Sequence, residues 1–423
     1  MMRSKLIIGI VLVLCVLATW LFGRLYRELL YVYEQTGTLT DSEYSWVFRL
    51  LLNLVGYSTV LLPCYVLYKY LEKTNYFDKI SNNSWISRIL FACFSEHDHI
   101  PESLKPVKVE ENPKHEGLEL AFCFSGLMGA YLVWGLLQEK IMTQNYVMPD
   151  GSHQKFNDSQ FLVFINRLLG FLIALVRLLS TGQQVIAAPL YKFSYCSLTN
   201  IISAWCQYEA LKYVSFPTQV LSKSCKVIPV MLMGKLISRN KYEGYEYGTA
   251  VLISAGMALF LLGGARGAWA APSAAGAALL ALYMCCDSFT SSWQGALFRR
   301  HALRPLQMLC AVNLCSCALS AAALLHRAPP AAALLHHPMF VSDCLLLSAS
   351  SAVGQLLIYR TIARFGPVLF TIIMTLRQAV SILISCAVYG HSISAEGCVG
   401  VVLVFAAVFL RIYWRKRKPA AIK

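Results

Sequence analysis

The sequence predicts an all-α polytopic membrane protein with a ten-helix inverted-repeat (5+5) core and two further N-terminal hydrophobic segments. Three observations support this fold class. Of the 423 residues, 57% are hydrophobic and only 14% are charged. Apolar runs of membrane-spanning length recur along the chain, and two polar, cation-bearing segments occupy corresponding positions in its two halves. A soluble domain with a single membrane anchor does not have this composition.

Apolar stretches of about 18 to 25 residues are long enough to cross a hydrocarbon core of about 30 Å. The sequence contains such stretches near residues 6–23, 46–71, 118–137, 160–179, 193–213, 216–237, 245–264, 272–293, 305–325, 341–362, 366–389 and 394–413. The polar segment 72–117 is predicted to be a cytosolic loop, and residues 414–423 are predicted to form a basic cytosolic tail.

The first apolar segment, within the two-segment extension 1–71, allows two interpretations. It follows a short basic stretch, as in a cleaved signal peptide. Its apolar run is longer than is typical for such a peptide, and no A-x-A-like cleavage site follows. These features favour an uncleaved signal anchor, but the sequence leaves cleavage open.

The formal net charge of +15 follows the predicted membrane topology. With the N-terminus in the cytosol, most basic groups flank the spans on the cytosolic side, as the positive-inside rule expects. We therefore expect contacts with membrane lipids and no nucleic-acid partner. The oligomeric state stays open between a monomer and a homodimer.

Cysteine and histidine residues do not form a recognisable metal-binding pattern. Nearly all of the 15 cysteines lie within or at the ends of apolar segments, where cysteine behaves as a small hydrophobic residue. The pair His336-His337 lacks the spacing of metal ligands. The sequence predicts neither a metal nor a cofactor.

The last ten spans divide into a first repeat, 118–264, and a second repeat, 272–413. In each half a short aromatic hinge and a proline, Pro217 or Pro367, precede an unusually polar helix. Lys226 and Arg377 each fall 18 residues after a tyrosine that ends the preceding helix, Tyr208 or Tyr359. Because each half has an odd number of spans, the repeats are inverted, and repeats of this kind hold their substrate near the midplane.

Lys223 and Lys226 lie within the apolar span 216–237. A helix starting near Pro217 would place both lysines on one face, roughly 9 to 14 Å deep in the hydrocarbon core. Two like charges at this depth cost at least several kcal/mol unless an anion or a watery cavity receives them. This span therefore predicts a site for a strongly anionic ligand.

Other spans also carry polar side chains that lipid would not accommodate. Arg offers a planar fork for phosphate or sulfate, while Lys acts as a point charge. The candidate substrate-binding residues are Lys223, Lys226, Arg377, Gln378, Gln207, Tyr208, Asn166 and Arg167. Two alternatives stay open. Arg167 could pair structurally with Asp287, and aromatic residues such as Trp205 could anchor the membrane interface rather than stack on a base.

Several sequence stretches carry a family resemblance. They are Phe156–Val163, Asn166-Arg167, Ser203–Lys212, Val214–Leu221, Lys226–Lys235, Asp287–Ser291 and Phe370–Ala379. They resemble the drug/metabolite transporter superfamily and, within it, the nucleotide-sugar transporter family. The closest resemblance is to the branch that carries 3′-phosphoadenosine 5′-phosphosulfate (PAPS), the sulfate donor.

The resemblance implies a multi-pass Golgi membrane protein that moves PAPS from the cytosol to luminal sulfotransferases by alternating access. Exchange against 3′,5′-phosphoadenosine would follow by analogy, and uniport stays open. PAPS carries a charge of about −3.5 to −4, against about −2 for a nucleotide sugar, so the cations in the spans suit PAPS better. The sequence has no Walker motif, which argues against ATP-driven transport.

Three other functions are alternatives to PAPS transport. A nucleotide-sugar transporter is the nearest alternative. A membrane-embedded enzyme would need clustered carboxylates or a histidine base, which the spans do not offer. A scaffold would have no use for the lysines in the membrane. We therefore expect a transporter and not an enzyme.

Overall fold

A computed structural model describes residues 45–75, 85–94, 113–143, 145–147, 153–155, 159–185, 188–210, 213–214, 219, 222–223, 225–264, 274–324, 337–389 and 395–417, together with isolated positions between 13 and 31. Only isolated positions of the first predicted span belong to these residues, and the hinge at Pro217 lies outside them. The helices are α1 Ser45–Lys73, α2 Trp85–Phe94, α3 Pro113–Thr143, α4 Ser159–Ser180, α5 Leu190–Ala210, α6 Val227–Ser238, α7 Gly244–Gly264, α8 Ala274–His301, α9 Pro305–Leu324, α10 Pro338–Tyr389 and α11 Ala395–Arg417. The strands β1 Asn145–Val147 and β2 His153–Lys155 form an antiparallel hairpin between α3 and α4.

The helices support the prediction of a polytopic, predominantly helical membrane protein. Within the described residues, four helices are long and apolar enough to cross a membrane: Gly117–Leu137, Phe161–Ser180, Ala274–His301 and Pro338–Val380. Two shorter apolar helices are Val227–Ser238 and Pro305–Ala321.

Helix α10 joins two predicted spans across a break at Gly366. This residue has φ 83° and ψ 167°, outside the helical region. A positive φ of this size is readily adopted only by glycine. The following residue, Pro367, has no N–H to donate and disfavours a helical conformation in the residue before it. The Gly-Pro pair therefore divides α10 into two helical parts.

Helix α2 lies in the segment that the sequence predicts to be a loop. Its Leu90 and Phe94 pack against Leu67 and Leu71 of α1 in a buried cluster. Ten residues are too few for a span, so a search for membrane-spanning runs does not find this helix. Its apolar face is stabilised by packing against α1.

The hairpin closes a second buried cluster. Tyr146 of β1 packs with Ile141, Leu162 and Phe340. The buried Asp343 accepts hydrogen bonds from Lys140 Nζ at 2.8 Å and from the Tyr146 hydroxyl at 3.3 Å. Burial, reinforced by the negative charge of Asp343, raises the pKa of Tyr146, so its hydroxyl stays protonated and continues to donate.

The chain forms two compact units. The first unit comprises Met1–Pro106, Gly129–Leu198 and Leu303–Leu356, and the second comprises Val107–Met128, Thr199–Ala302 and Leu357–Lys423. Each unit takes segments from both predicted repeats. The compact units and the predicted repeats are therefore different divisions of the chain.

In the second unit, α7 and α11 cross closely at two glycines. A Cβ atom on Gly400 would lie 2.5 Å from the backbone oxygen of Gly256, so larger residues would force the helices apart. Small residues of this kind let membrane helices approach each other. At one end of this helix pair, Arg411 forms an ion pair with Glu246 at 3.1 Å.

Candidate functional site

Three of the predicted site residues come together in the second unit. Lys223 is close enough to Lys226, Arg377 and Asp287 to interact electrostatically with each of them. The Lys226 ammonium forms an ion pair with the Asp287 carboxylate, and their side chains are 14% and 27% exposed. We call these four residues the cation cluster. Three cations against one carboxylate leave the cluster with two net positive charges.

The local structure around the lysines differs from the regular helix that the sequence predicts from Pro217 onwards. Lys223 is helical, Cys225 and Lys226 form a turn, and α6 begins only at Val227. Lys226 is the N-cap residue of α6, with φ −62° and ψ −17°. The two lysines thus do not share one face of an unbroken helix, and a turn brings them into the same cluster.

The N-cap position adds to the positive character of the site. The first N–H groups of a helix have no partner within the helix, and the helix dipole places a partial positive charge there. Both features favour an anion at this end. Broken membrane helices use such termini to hold anionic substrate groups. A lysine at this position strengthens the preference for an anion.

Arg377 and Gln378 lie about three turns after the break in α10, and both are half-buried. The buried hydroxyls of Thr371 and Thr375 donate to the carbonyls of Pro367 and Thr371 in their own helix, at 2.8 and 3.0 Å. The helix therefore satisfies these hydroxyls internally. Arg377 remains the charged donor that this part of α10 presents.

Helix α8 holds Asp287 on a well-anchored scaffold. Thr290 and Thr199 of α5 share a hydroxyl–hydroxyl hydrogen bond of 2.7 Å. Ser292 donates to the carbonyl of Val230 in α6 at 3.3 Å. Tyr283, one turn before Asp287, is buried and lies near both Lys226 and Asp287. These contacts hold the Asp287 backbone next to the start of α6.

Gln207 lies at the end of α5, where its backbone carbonyl accepts a hydrogen bond of 2.6 Å from Gln219 Nε2. Gln219 is almost fully buried. It therefore satisfies one of the unpaired carbonyls that every helix leaves at its C-terminus. Gln219 was not among the predicted site residues, because it lies nine positions beyond the end of α5 at Ala210 and no local signal marks it as the cap of that helix. The side chain of Tyr208 lies outside the described residues.

Asn166 and Arg167 belong to the first unit, where they form what we call the amide cluster with Asn313 and Ser348. Arg167 Nη1 donates to Asn313 Oδ1 at 3.3 Å, and Ser348 Oγ donates to Asn166 Oδ1 at 2.6 Å. Of the two residues considered as a structural pair, Arg167 donates to Asn313 in the first unit and Asp287 pairs with Lys226 in the second. Close packing explains the choice of Asn313, since a Cβ atom on Gly170 would lie 2.7 Å from its Nδ2.

The arrangement suits binding rather than acid–base or metal chemistry. Within the part of the chain that the structure describes, no three His, Cys, Asp or Glu side chains are grouped to hold a metal ion. The cation cluster offers two ammonium groups, one guanidinium and a helix N-terminus. These groups bind phosphate or sulfate through charge-assisted hydrogen bonds.

Comparisons with known proteins show the family of the chain. The UAA transporter family matches residues 119–415. A Drosophila melanogaster protein named adenosine 3′-phospho 5′-phosphosulfate transporter 1 is 46% identical, over 99% of this chain and 95% of its own. The Homo sapiens protein of the same name is 44% identical, over 88% of each chain.

Two more distant similarities complete the comparison. An Arabidopsis thaliana protein named UDP-galactose/UDP-glucose transporter 5B is 37% identical, over 73% of this chain and 91% of its own. A solved crystal structure at 12% sequence identity covers 70% of this chain and 98% of its own, with a TM-score of 0.51. At that identity the similarity concerns the fold alone.

Proposed function

The chain belongs to the UAA transporter family, and from this premise we propose that it carries PAPS from the cytosol into the Golgi lumen. Family membership and relatives named as transporters confirm the prediction of a multi-pass membrane transporter rather than an enzyme. The substrate, the compartment and the site residues are our proposal.

The observation that carries the assignment of an anionic substrate is the excess of positive charge in the cation cluster. Lys223, Lys226 and Arg377 lie together, and Asp287 neutralises one of them. PAPS presents a phosphate monoester and a phosphosulfate, with a total charge of about −3.5 to −4. Its anionic groups can engage both lysines and the Arg377 fork. The names of the relatives in Drosophila melanogaster and Homo sapiens support the same substrate.

We assign direct contact with the anionic groups of PAPS to Lys223, Lys226 and Arg377, with Gln378 beside them. The half-buried position of Gln207 at the end of α5 is compatible with a contact to the nucleoside. Substrate binding by Tyr208, Asn166 and Arg167 stays a prediction from the sequence, and we give Asn166 and Arg167 the weaker claim because neutral protein groups bond to both side chains.

Alternating access is the mechanism we propose for the ten-helix 5+5 core. One repeat would rock against the other around a midplane site. The break at Gly366 is one point where the backbone can change direction, because a glycine with positive φ separates two helical parts. The Pro217 turn would serve as the corresponding point in the first repeat.

The Golgi lumen is the compartment we infer for delivery, because sulfotransferases there would consume the transported sulfate donor. Consumption maintains a gradient, so a passive carrier or an exchanger against 3′,5′-phosphoadenosine is sufficient. Both nucleotides carry similar charge, and one cation cluster can bind either of them.

A nucleotide-sugar transporter is the second candidate, and the Arabidopsis thaliana relative favours it. A UDP-sugar carries only about two negative charges. Two negative charges would balance the net charge of the cation cluster while Asp287 stays paired with Lys226, so charge alone does not separate the two candidates. We rank the nucleotide sugar second because the relatives named as PAPS transporters are more similar to this chain, at 46% and 44% identity against 37%.

Uptake into proteoliposomes tests the proposal. Purified protein is reconstituted, and accumulation of radiolabelled PAPS, UDP-galactose and UDP-glucose is compared with that in protein-free vesicles. Vesicles preloaded with 3′,5′-phosphoadenosine distinguish exchange from uniport. We expect PAPS to accumulate and the UDP-sugars to stay near background. Accumulation of a UDP-sugar without PAPS would refute the substrate assignment.

A further inference from the structure

The ion pair between Lys226 and Asp287 occupies one of the cations proposed to bind substrate. A carboxylate and a substrate phosphate are both anionic hydrogen-bond acceptors, so they compete for the same ammonium group. Binding of PAPS at Lys226 therefore requires Asp287 either to release the lysine or to share it with the substrate.

We propose that Asp287 is a displaceable counter-ion that holds Lys226 when the site is empty and yields it to the anionic substrate. This inference rests on the proposed function. It makes Asp287 a determinant of both affinity and exchange behaviour, although it need not contact the substrate itself.

The surroundings of the ion pair between Lys226 and Asp287 favour the displacement of Asp287 from Lys226 by the substrate. Asp287 sits on α8, which is tied to α5 and α6 through Thr290 and Ser292, so its backbone stays in place. Lys226 lies at the N-cap of α6 and carries its charge on a flexible four-carbon stem. The ammonium group can therefore move between Asp287 and a substrate oxygen without any rearrangement of the helices.

The ion pair between Lys140 and Asp343 differs from that between Lys226 and Asp287 in how the carboxylate is held. Asp343 has a side chain only 6% exposed and accepts hydrogen bonds from both Lys140 and Tyr146. It lies within a buried apolar cluster formed by the hairpin and the neighbouring helices. Asp287 is 27% exposed and faces other cations. The two pairs thus differ at the carboxylate, which is nearly buried and held by two donors at Asp343 and is more exposed at Asp287, whereas the lysine is more exposed in the Lys140 pair, 42% against 14% for Lys226.

The counter-ion also changes the energy of the empty carrier. Without Asp287, three cations would stand close together in a membrane span with no anion bound, and such a state is costly. With Asp287 in place, one of these charges is compensated, and the empty carrier can reorient more easily. Removing the carboxylate should therefore tighten substrate binding and impair net uptake more than exchange.

The test compares Asp287→Asn with three other variants of the full-length protein. Asp287→Glu keeps the counter-ion, and Asp287→Ser removes it with a smaller side chain. Glu246→Gln is the matched control, because Glu246 and Arg411 form a pair of similar exposure, 22% and 11%, in the same unit outside the cluster. The Kd for PAPS is measured on purified protein by calorimetry. Exchange and uptake into substrate-free vesicles are measured after reconstitution.

We expect Asp287→Asn and Asp287→Ser to bind PAPS about tenfold more tightly and to lose more uptake into substrate-free vesicles than exchange. Asp287→Glu and Glu246→Gln should keep the wild-type affinity. If both neutral variants bind PAPS with unchanged or weaker affinity, Asp287 is a positioning residue for Lys226 and the inference is wrong. Should the wild-type protein itself fail to bind PAPS, the proposed function is refuted instead.

Discussion

The cation cluster of the second unit and the amide cluster of the first unit differ in the groups that interact with their charged side chains. In the amide cluster, Arg167 donates to the neutral Asn313, and Asn166 accepts from Ser348. In the cation cluster, Asp287 pairs with Lys226, and Lys223 lies within electrostatic range of both and of Arg377. The sequence assigns residues of both clusters to one binding site, because both consist of polar residues in apolar spans.

The difference between the clusters predicts different consequences of substitution. A polar group that is satisfied by another protein group contributes mainly to folding. An excess of like charge within a membrane span has no such role, and it becomes favourable only when an anion binds. Substitutions in the cation cluster should therefore change substrate affinity, and substitutions in the amide cluster should change stability.

The largest effect is expected for Lys226→Ala, with Lys223→Ala in the same direction. Each substitution removes a charge-assisted contact worth about 1.5 to 3 kcal/mol, or roughly 10- to 150-fold in affinity. Lys226→Ala also leaves Asp287 without this ion-pair partner, so the cluster loses still more of its attraction for anions. PAPS uptake per folded molecule in proteoliposomes measures the effect.

Lys235→Ala is the matched control, because Lys235 is exposed near the end of the same helix α6. It should transport like the wild type. Normal uptake by a well-folded Lys226→Ala protein would show that the cation cluster is not the anion site.

The second-largest effect, on the Kd for PAPS, is expected for Arg377→Lys. Arg167→Lys is the same conservative substitution in the amide cluster. Arg377→Lys keeps the charge and loses the planar fork, so we expect PAPS to bind about tenfold more weakly. Arg167→Lys alters a hydrogen bond to a neutral amide and should leave the Kd for PAPS unchanged. Calorimetry on both purified variants provides the comparison. An equal loss of affinity in the two variants would mean that both clusters take part in substrate binding.

The break at Gly366 should affect turnover more than affinity. A Cβ atom at Gly366 would meet no atom within 4 Å, but the backbone has φ 83°. Gly366→Ala therefore adds strain without a clash, at a cost of about 1 to 3 kcal/mol, because positive φ with ψ near 180° is a conformation that essentially only glycine adopts. We expect a lower exchange rate with a nearly unchanged Kd for PAPS.

Gly135→Ala serves as the control for Gly366→Ala. A Cβ atom on Gly135 would also meet nothing within 4 Å, and Gly135 lies within helix α3 without a positive φ. It should leave the exchange rate unchanged. A loss confined to affinity in Gly366→Ala would identify the break as a passive connection.

The smallest effect is expected in the amide cluster. Ser348→Ala removes the donor to buried Asn166 and should lower the free energy of unfolding by about 0.5 to 1.5 kcal/mol. Ser350→Ala is the control, because that hydroxyl bonds only to the Leu347 carbonyl of its own helix at 3.0 Å. Thermal unfolding with and without PAPS separates stability from binding. A Ser348→Ala protein with normal stability and reduced affinity for PAPS would show that the amide cluster binds substrate rather than stabilises the fold.

The predictable part of the structure is the part that local sequence determines. Long apolar runs indicated the helices, and the Gly366-Pro367 pair indicated the break between two spans, because each signal is complete within a few residues. The lysines were recognisable as site candidates because charge is rare in such spans.

Contacts between distant residues were beyond the reach of the sequence. Lys226 and Asp287 are separated by 61 positions, and nothing local distinguishes Lys226 from Arg167 as the partner. The three-residue strands of the hairpin are too short to show the alternation of apolar and polar residues that indicates a strand. The start of α6 at Val227 was missed because Pro217 is itself a typical first residue of a helix, and the N-cap residue Lys226 is not of a capping type and makes no side-chain cap hydrogen bond.

A structure determined with PAPS bound tests the central claim most directly. We predict phosphate or sulfate oxygens at hydrogen-bond distance, about 2.7 to 3.2 Å, from Lys223, Lys226 and Arg377, with the contact between Lys226 and Asp287 lengthened. PAPS bound elsewhere, with the ion pair intact and the three cations free of ligand, would contradict the assignment of the cation cluster as the substrate site.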